Sequence, residues 1–306
     1  MEIFTLIILK LIPLYGFILL GFIIGRKLKP DLESIAKVVI YGIIPLVILH
    51  GTATAPLNVG VLILPIVIFC IAGLIAIVAL HIGRRLWSDV TANLFGFAAG
   101  NGNTGYFGLP LAIALFPEST VSIMIMAILG MVLYENTVGF YITARGHHTA
   151  SEAFGKVIRL PTVYAFIVGL ILNLINIPIG QAVTDVAMQV RGAYTVIGMM
   201  IIGLGLAKIT HLAKDGKFVL STLLAKFVVW PAVAAAVIFL DRHTVQLFSE
   251  EVYAVLTLIS IVPMAANTVS YAEALRTHPE KAALAVFVST LVALLVIPVM
   301  VYTTGI

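Results

Sequence analysis

Gly100-Asn101-Gly102-Asn103-Thr104-Gly105-Tyr106-Phe107-Gly108-Leu109-Pro110 interrupts an apolar run long enough to cross a bilayer. Four glycines, two asparagines and one proline within eleven residues exceed what a kinked helix needs. A second run is broken by Val262-Pro263-Met264-Ala265-Ala266-Asn267-Thr268. Non-helical backbone at membrane depth is tolerated only where protein buries it or a wet cavity lines it. Interruptions at corresponding places in two halves of a chain point to a binding site near the bilayer midplane.

The rest of the sequence supports a membrane setting. It is 61% hydrophobic and 10% charged, with mean hydropathy +1.14, against about 25% charged residues in soluble domains. The runs are continuous, as from Val59 to Leu80, and do not alternate with period two. That favours helices over a barrel. Met1 to Gly25 reads as a retained first helix and shows no small-residue cleavage site. The single Cys70 allows no internal disulfide. The net charge of +4 implies no nucleic-acid partner, because Lys and Arg concentrate in loops facing one way.

Ten spans are expected from runs of about 20 apolar residues: Ile3–Gly25, Ser34–Ala53, Val59–Leu80, Val90–Phe116, Ser119–Ala144, Pro161–Ile177, Val186–Ala207, Lys217–Leu240, Val252–Leu275 and Ala282–Thr303. Loop charge tests the list. The odd-numbered loops hold thirteen of the 18 Lys and Arg, and the even-numbered loops and edges hold only Arg191 and Arg242. By the positive-inside rule the odd loops are cytoplasmic and both termini are outside. The expected location is a plasma or inner membrane, crossed many times.

The long polar connection Arg145–Leu160 separates five spans from five. The expected domains are a first five-helix repeat, 1–150, and a second, inverted one, 151–306. An odd number of spans per half forces opposite orientations, so halves of shared fold are inverted repeats. The breaks fall in the fourth span of each half.

Freed amides and carbonyls at the breaks need partners. Asn101, Asn103, Thr104, Asn267 and Thr268 can satisfy them or face a ligand. The glycines are expected to relax the backbone, while Pro110 and Pro263 remove amide donors. Half-helix N-termini favour an anion, and half-helix C-termini favour a cation such as sodium. The candidate substrate-binding set is therefore Asn101, Asn103, Thr104, Gly105, Tyr106, Pro110, Pro263, Asn267 and Thr268, for a small organic anion such as a carboxylate. Isolated Gly16, Gly21, Pro13, Pro45, Pro65 and Pro231 read instead as kinks and packing points, since both residue types are common in membrane helices.

An ionisable residue within a span is a functional hypothesis by default. Glu135, among Met131, Val132, Val138 and Phe140, could bind sodium as a carboxylate or carry a proton as an acid. Its neighbour Asn136 shares that claim. The plainer reading pairs Glu135 with Lys226 or a backbone amide. Lys226 could also balance an anionic substrate. Lys10 reads as snorkelling or packing at an interface, Lys37 and Glu273 as interfacial, and His50 and His81 as wet helix ends. No metal site is expected from the His147-His148 pair, and no cofactor beyond sodium or a proton as coupling ion.

Asn103-Thr104-Gly105-Tyr106-Phe107-Gly108-Leu109-Pro110 resembles the fourth-helix motif of the auxin efflux carrier family, which holds plant PIN proteins and bacterial malate and malonate permeases. Gly25-Arg26-Lys27, Tyr41-Gly42-Ile43-Ile44-Pro45, Leu160-Pro161 with Gly169-Leu170-Ile171-Leu172-Asn173, and Ile202-Gly203-Leu204-Gly205-Leu206-Ala207 are similar to other segments of that family. Asn267 departs from its ninth-helix pattern, and the long central loop of some plant members is absent. The resemblance implies an all-α fold like that of bile acid sodium symporters, with helices 4 and 9 broken and crossing. Helices 1, 2, 6 and 7 would form a scaffold, and helices 3–5 and 8–10 a transport domain. It further implies elevator-like alternating access and a homodimer through the scaffold.

Rival classes fare worse. His-Glu-x-x-His is absent, no span offers a Ser–His pair, and Asp occurs only in loops or at helix edges, so an intramembrane enzyme is not expected. A sodium-coupled organic anion symporter is the nearest alternative. An anion channel also uses broken helices, but one polar crossing between inverted repeats suits a carrier better.

Overall fold

The computed structural model describes residues 2–143, 161–208 and 215–304. All regular structure among them is helical. In chain order the helices are α1 (Glu2–Lys27), α2 (Leu32–Val38), α3 (Ile44–Ala53), α4 (Val59–Leu86), α5 (Thr91–Gly100), α6 (Leu109–Leu115), α7 (Glu118–Tyr134), α8 (Phe140–Thr143), α9 (Pro161–Leu174), α10 (Gln181–Lys208), α11 (Gly216–Leu224), α12 (Trp230–His243), α13 (Glu250–Ile261), α14 (Asn267–Ala274) and α15 (Pro279–Thr304). Wide π-helical turns at Val39–Ile43, Thr104–Gly108, Glu135–Gly139 and Ala225–Val229 lead into α3, α6, α8 and α12.

Among the described residues, seven continuous helical stretches are long and apolar enough to cross a membrane: Ile8–Lys27, Ser34–Ala53, Val59–Leu86, Glu118–Thr143, Gln181–Ala207, Gly216–His243 and Pro279–Thr304. The other three expected spans differ. Those over 90–116 and 252–275 are broken in their middles. The one over 161–177 is helical only for the 14 residues Pro161–Leu174. Asn176 stops it there by taking a left-handed conformation (φ 55°), and Pro178 follows. Asparagine tolerates this cap geometry, and proline cannot continue a helix. In contrast, α4 outruns its apolar stretch, because Arg84 and Arg85 lie in its last turn, where a cation complements the helix dipole. Arg145–Leu160, His147-His148 and Ala144 lie outside the described residues.

Close approach of backbones organises the packing. Helices α1 and α10 cross where Gly21 faces the Met200 backbone and Gly203 faces Ile18, with Phe22 N 2.6 Å from the point a Gly203 Cβ would occupy. Gly169 of α9 lies in the same way against Leu49 of α3, and Gly130 of α7 against Pro65 of α4. Small residues at such seams allow van der Waals packing that lipid cannot replace. The outward surface is apolar, with Leu295 76% and Ile66 59% exposed, as a lipid-facing wall requires.

Candidate functional site

Helix α5 ends at Gly100, and its last carbonyls are taken by side chains from elsewhere. Tyr134 Oη donates to Phe97 O (2.9 Å) and Trp230 Nε1 to Ala99 O (2.8 Å). Asn101 is extended (φ −89°, ψ 138°), and the chain becomes helical again at Thr104. Helix α13 ends at Ile261, Val262 is extended (φ −66°, ψ 150°), and α14 begins at Asn267.

These two irregular segments touch. The Asn103 backbone N–H donates to Pro263 O at 2.8 Å. Asn101 Nδ2 donates to Thr268 Oγ1 at 3.2 Å, and both residues are fully buried. Asn267 Nδ2 donates to Glu135 Oε2 at 3.2 Å. Tyr271 Oη donates to Asn136 Oδ1 at 2.9 Å, while Asn136 Nδ2 donates back to Val132 O. Met264 N–H donates to Ser289 Oγ. Asn101, Asn103, Pro263, Asn267 and Thr268 therefore come together, and Glu135 and Asn136 join them through α14.

The remaining candidates are placed differently. Thr104 is buried at the start of the π-helical turn. Tyr106 lies on that turn, stacked on Tyr194 of α10 (ring centroids 6.3 Å apart, 27° between planes), with its hydroxyl buried and unpartnered. Pro110 sits at the opening of α6, where a missing amide costs little, and not at the break itself.

The glycines need correction. None of Gly100, Gly102, Gly105 and Gly108 has a left-handed φ, so backbone freedom is not their reason. Gly100 is required for room, because it faces backbone, whereas Gly102 and Gly108 face the tips of flexible side chains. A Cβ at Gly100 would lie 2.6 Å from Ala72 O, one at Gly102 2.7 Å from Lys226 Nζ, and one at Gly108 2.8 Å from Met124 Cε. Gly105 is the exception, with only Tyr194 Oη at 3.4 Å.

The ion pair between Glu135 and Lys226 does not form. Lys226 is fully buried and its Nζ has no hydrogen-bond partner among the described residues. The Trp230 ring attends it, 4.5 Å from centroid to Nζ. His50 is also not at a wet helix end. It is 6% exposed, with neither ring nitrogen bonded among the described residues. His81 is exposed, its Nδ1 2.8 Å from Ile77 O. Lys226, Trp230, Tyr134 and Tyr194 escaped the sequence-based site set. Only Lys226 carried a signal, as a cation inside a span. The three aromatics are indistinguishable by sequence from ordinary core residues.

Among the described residues no group of three or more His, Cys, Asp or Glu could hold a metal ion. The family model described as a membrane transport protein matches residues 6–301. No curated protein matches the chain.

Proposed function

Because the chain belongs to the membrane transport protein family of auxin efflux carriers and PIN-like proteins, we propose that it is a secondary carrier for a small organic anion, with a carboxylate bound at the junction of the two breaks. The observation that carries this reading is the hydrogen bond between Asn103 N–H and Pro263 O, which joins two interrupted helices in a buried place. The half-helices beginning at Thr104 and Asn267 have their N-terminal ends near it, and such ends attract negative charge.

The proposed architecture has ten spans in two inverted five-helix repeats. The α1–α10 and α3–α9 seams each join the first half to the second, as a scaffold of helices 1, 2, 6 and 7 requires. The transport domain would carry both breaks and shift against that scaffold in an elevator-like motion. The Tyr106–Tyr194 stack would then lie across the boundary between the two parts. Glu135, reached by Asn267 from the second break, is the proposed site of proton or sodium coupling, with Asn136 beside it. A homodimer through the scaffold, external termini and a plasma-membrane location complete the proposal.

The test uses purified protein in proteoliposomes. Saturable carboxylate uptake with counterflow is expected. Asn103→Ala and Asn267→Ala should each stay folded and lose about 1–3 kcal/mol of affinity, the range for a hydrogen bond to a charged group. Unsaturable flux would favour a channel. Native affinity in both variants would move the site away from the junction.

A further inference from the structure

Lys226 stands on the π-helical turn Ala225–Val229 between α11 and α12. Its side chain runs to the first break, where Nζ lies 2.7 Å from the position a Gly102 Cβ would take. The residue is 0% exposed and Nζ meets no acceptor among the described residues. Glu135 is engaged by Asn267. A desolvated ammonium without an acceptor is strongly unfavourable, and one cation–π contact with Trp230 offsets only part of that. Trp230 is itself fixed, since its indole N–H is bonded to Ala99 O at the end of α5. The lysine is thus held at the break from two sides, and the lack of a side chain at Gly102 leaves the ammonium facing the irregular backbone. A second donor, Tyr106 Oη, is buried without a partner on the turn that follows the same break.

We infer that Lys226 is the counter-charge of the transported anion, a binding residue that selects a carboxylate over its neutral isostere. The inference rests on the carrier reading above and adds to it a specific cationic partner. The carboxylate supplies the acceptor that Nζ lacks, so ammonium and anion cross the membrane as a neutral pair and neither faces lipid alone.

The experiment uses the full chain, purified in detergent, as wild type, Lys226→Met and Lys226→Gln. Each is titrated with potassium salts of acetate, malonate, malate and indole-3-acetate, and with the matching neutral amides. Binding is read by calorimetry and by thermal shift. Both variants should bind the carboxylates about ten- to a hundredfold more weakly, the loss of one charge-assisted hydrogen bond. Amide binding should not move. The unliganded thermal midpoint of Lys226→Met should hold or rise, because an apolar side chain replaces a lone buried charge.

Native carboxylate affinity in the variants would overturn the inference and leave the carrier reading intact. So would an equal loss of acid and amide binding, which would make Lys226 a structural residue. A failure of both variants to fold would have the same meaning. A wild-type protein that binds the amides but no carboxylate, or binds nothing in the panel, would overturn both the inference and the organic-anion reading.

Discussion

Gly100 and Gly105 lie in the same break and answer different needs. A methyl group at Gly100 would press on Ala72 O and the Tyr134 hydroxyl, whereas at Gly105 it would meet only Tyr194 Oη at ordinary contact distance. Gly100→Ala should therefore destabilise the protein by about 1–3 kcal/mol, the usual cost of overpacking. Gly105→Ala should stay within about 0.5 kcal/mol of wild type. Thermal unfolding of both in the same detergent checks the contrast, and equal midpoints would refute it. Glu135 makes a different prediction. Glutamine keeps its shape and can still pair with Asn267, so Glu135→Gln should fold while losing gradient-driven uptake. Measuring uptake against imposed proton and sodium gradients decides the matter. Unchanged gradient dependence would make Glu135 a structural acceptor for Asn267.

At the scale of elements, the N-terminus of α15 gathers three helix ends. Lys281 Nζ pairs with Asp215, the N-cap of α11, at 2.9 Å and donates to Thr91 of α5 at 2.9 Å. His278 Nε2 lies 3.1 Å from Asp89, and Asp215 also accepts from Phe218 N–H. At Asp215 partial burial raises the carboxyl, but Lys281, the Phe218 amide and Lys217 outweigh it and hold it below the usual range. At Asp89 burial is likewise outweighed by Thr91, His278 and Lys281. A depressed folded-state value gives stability that is complete above the unfolded value and is lost as pH falls through the folded one. The hub should hold at neutral pH and loosen only below about pH 4. Lys281→Met should lower the thermal midpoint at neutral pH and shrink its fall on acidification, as read by acid titration of the midpoint; an unchanged acid limb would remove Lys281 from the hub. None of these pairings was legible in the sequence, because they join residues far apart whose types are ordinary in loops. The breaks were legible, since Gly, Asn and Pro at membrane depth have few other uses. The wide turn at Glu135–Gly139 was not, because its composition is compatible with a regular helix.

For the whole molecule, the charge asymmetry of the loops in the sequence predicts an orientation that labelling can test. Cysteine introduced near Arg242 should react with an impermeant reagent outside intact cells, and cysteine near Arg84 should not; the reverse pattern would invert the topology. The α1–α10 seam predicts that Gly203→Leu separates the two halves and lowers the yield of folded protein, because Ile18 and Phe22 leave no space for a side chain. The bond from Asn103 N–H to Pro263 O has a consequence for how such a protein can vary. It is made by main chain on both sides, so side-chain replacement leaves it in place, and a scan by alanine would pass over it. Proline is the one coded residue that deletes the donor. Asn103 already holds φ at −73°, within proline's range. The proline ring would also press Cδ on Pro263 O, so Asn103→Pro should fall below Asn103→Ala in stability by more than the about 0.5–1.5 kcal/mol of a net hydrogen bond, and equal thermal midpoints would refute the tie. Side-chain drift at either position can recast the surface of the junction without loosening how the halves are tied.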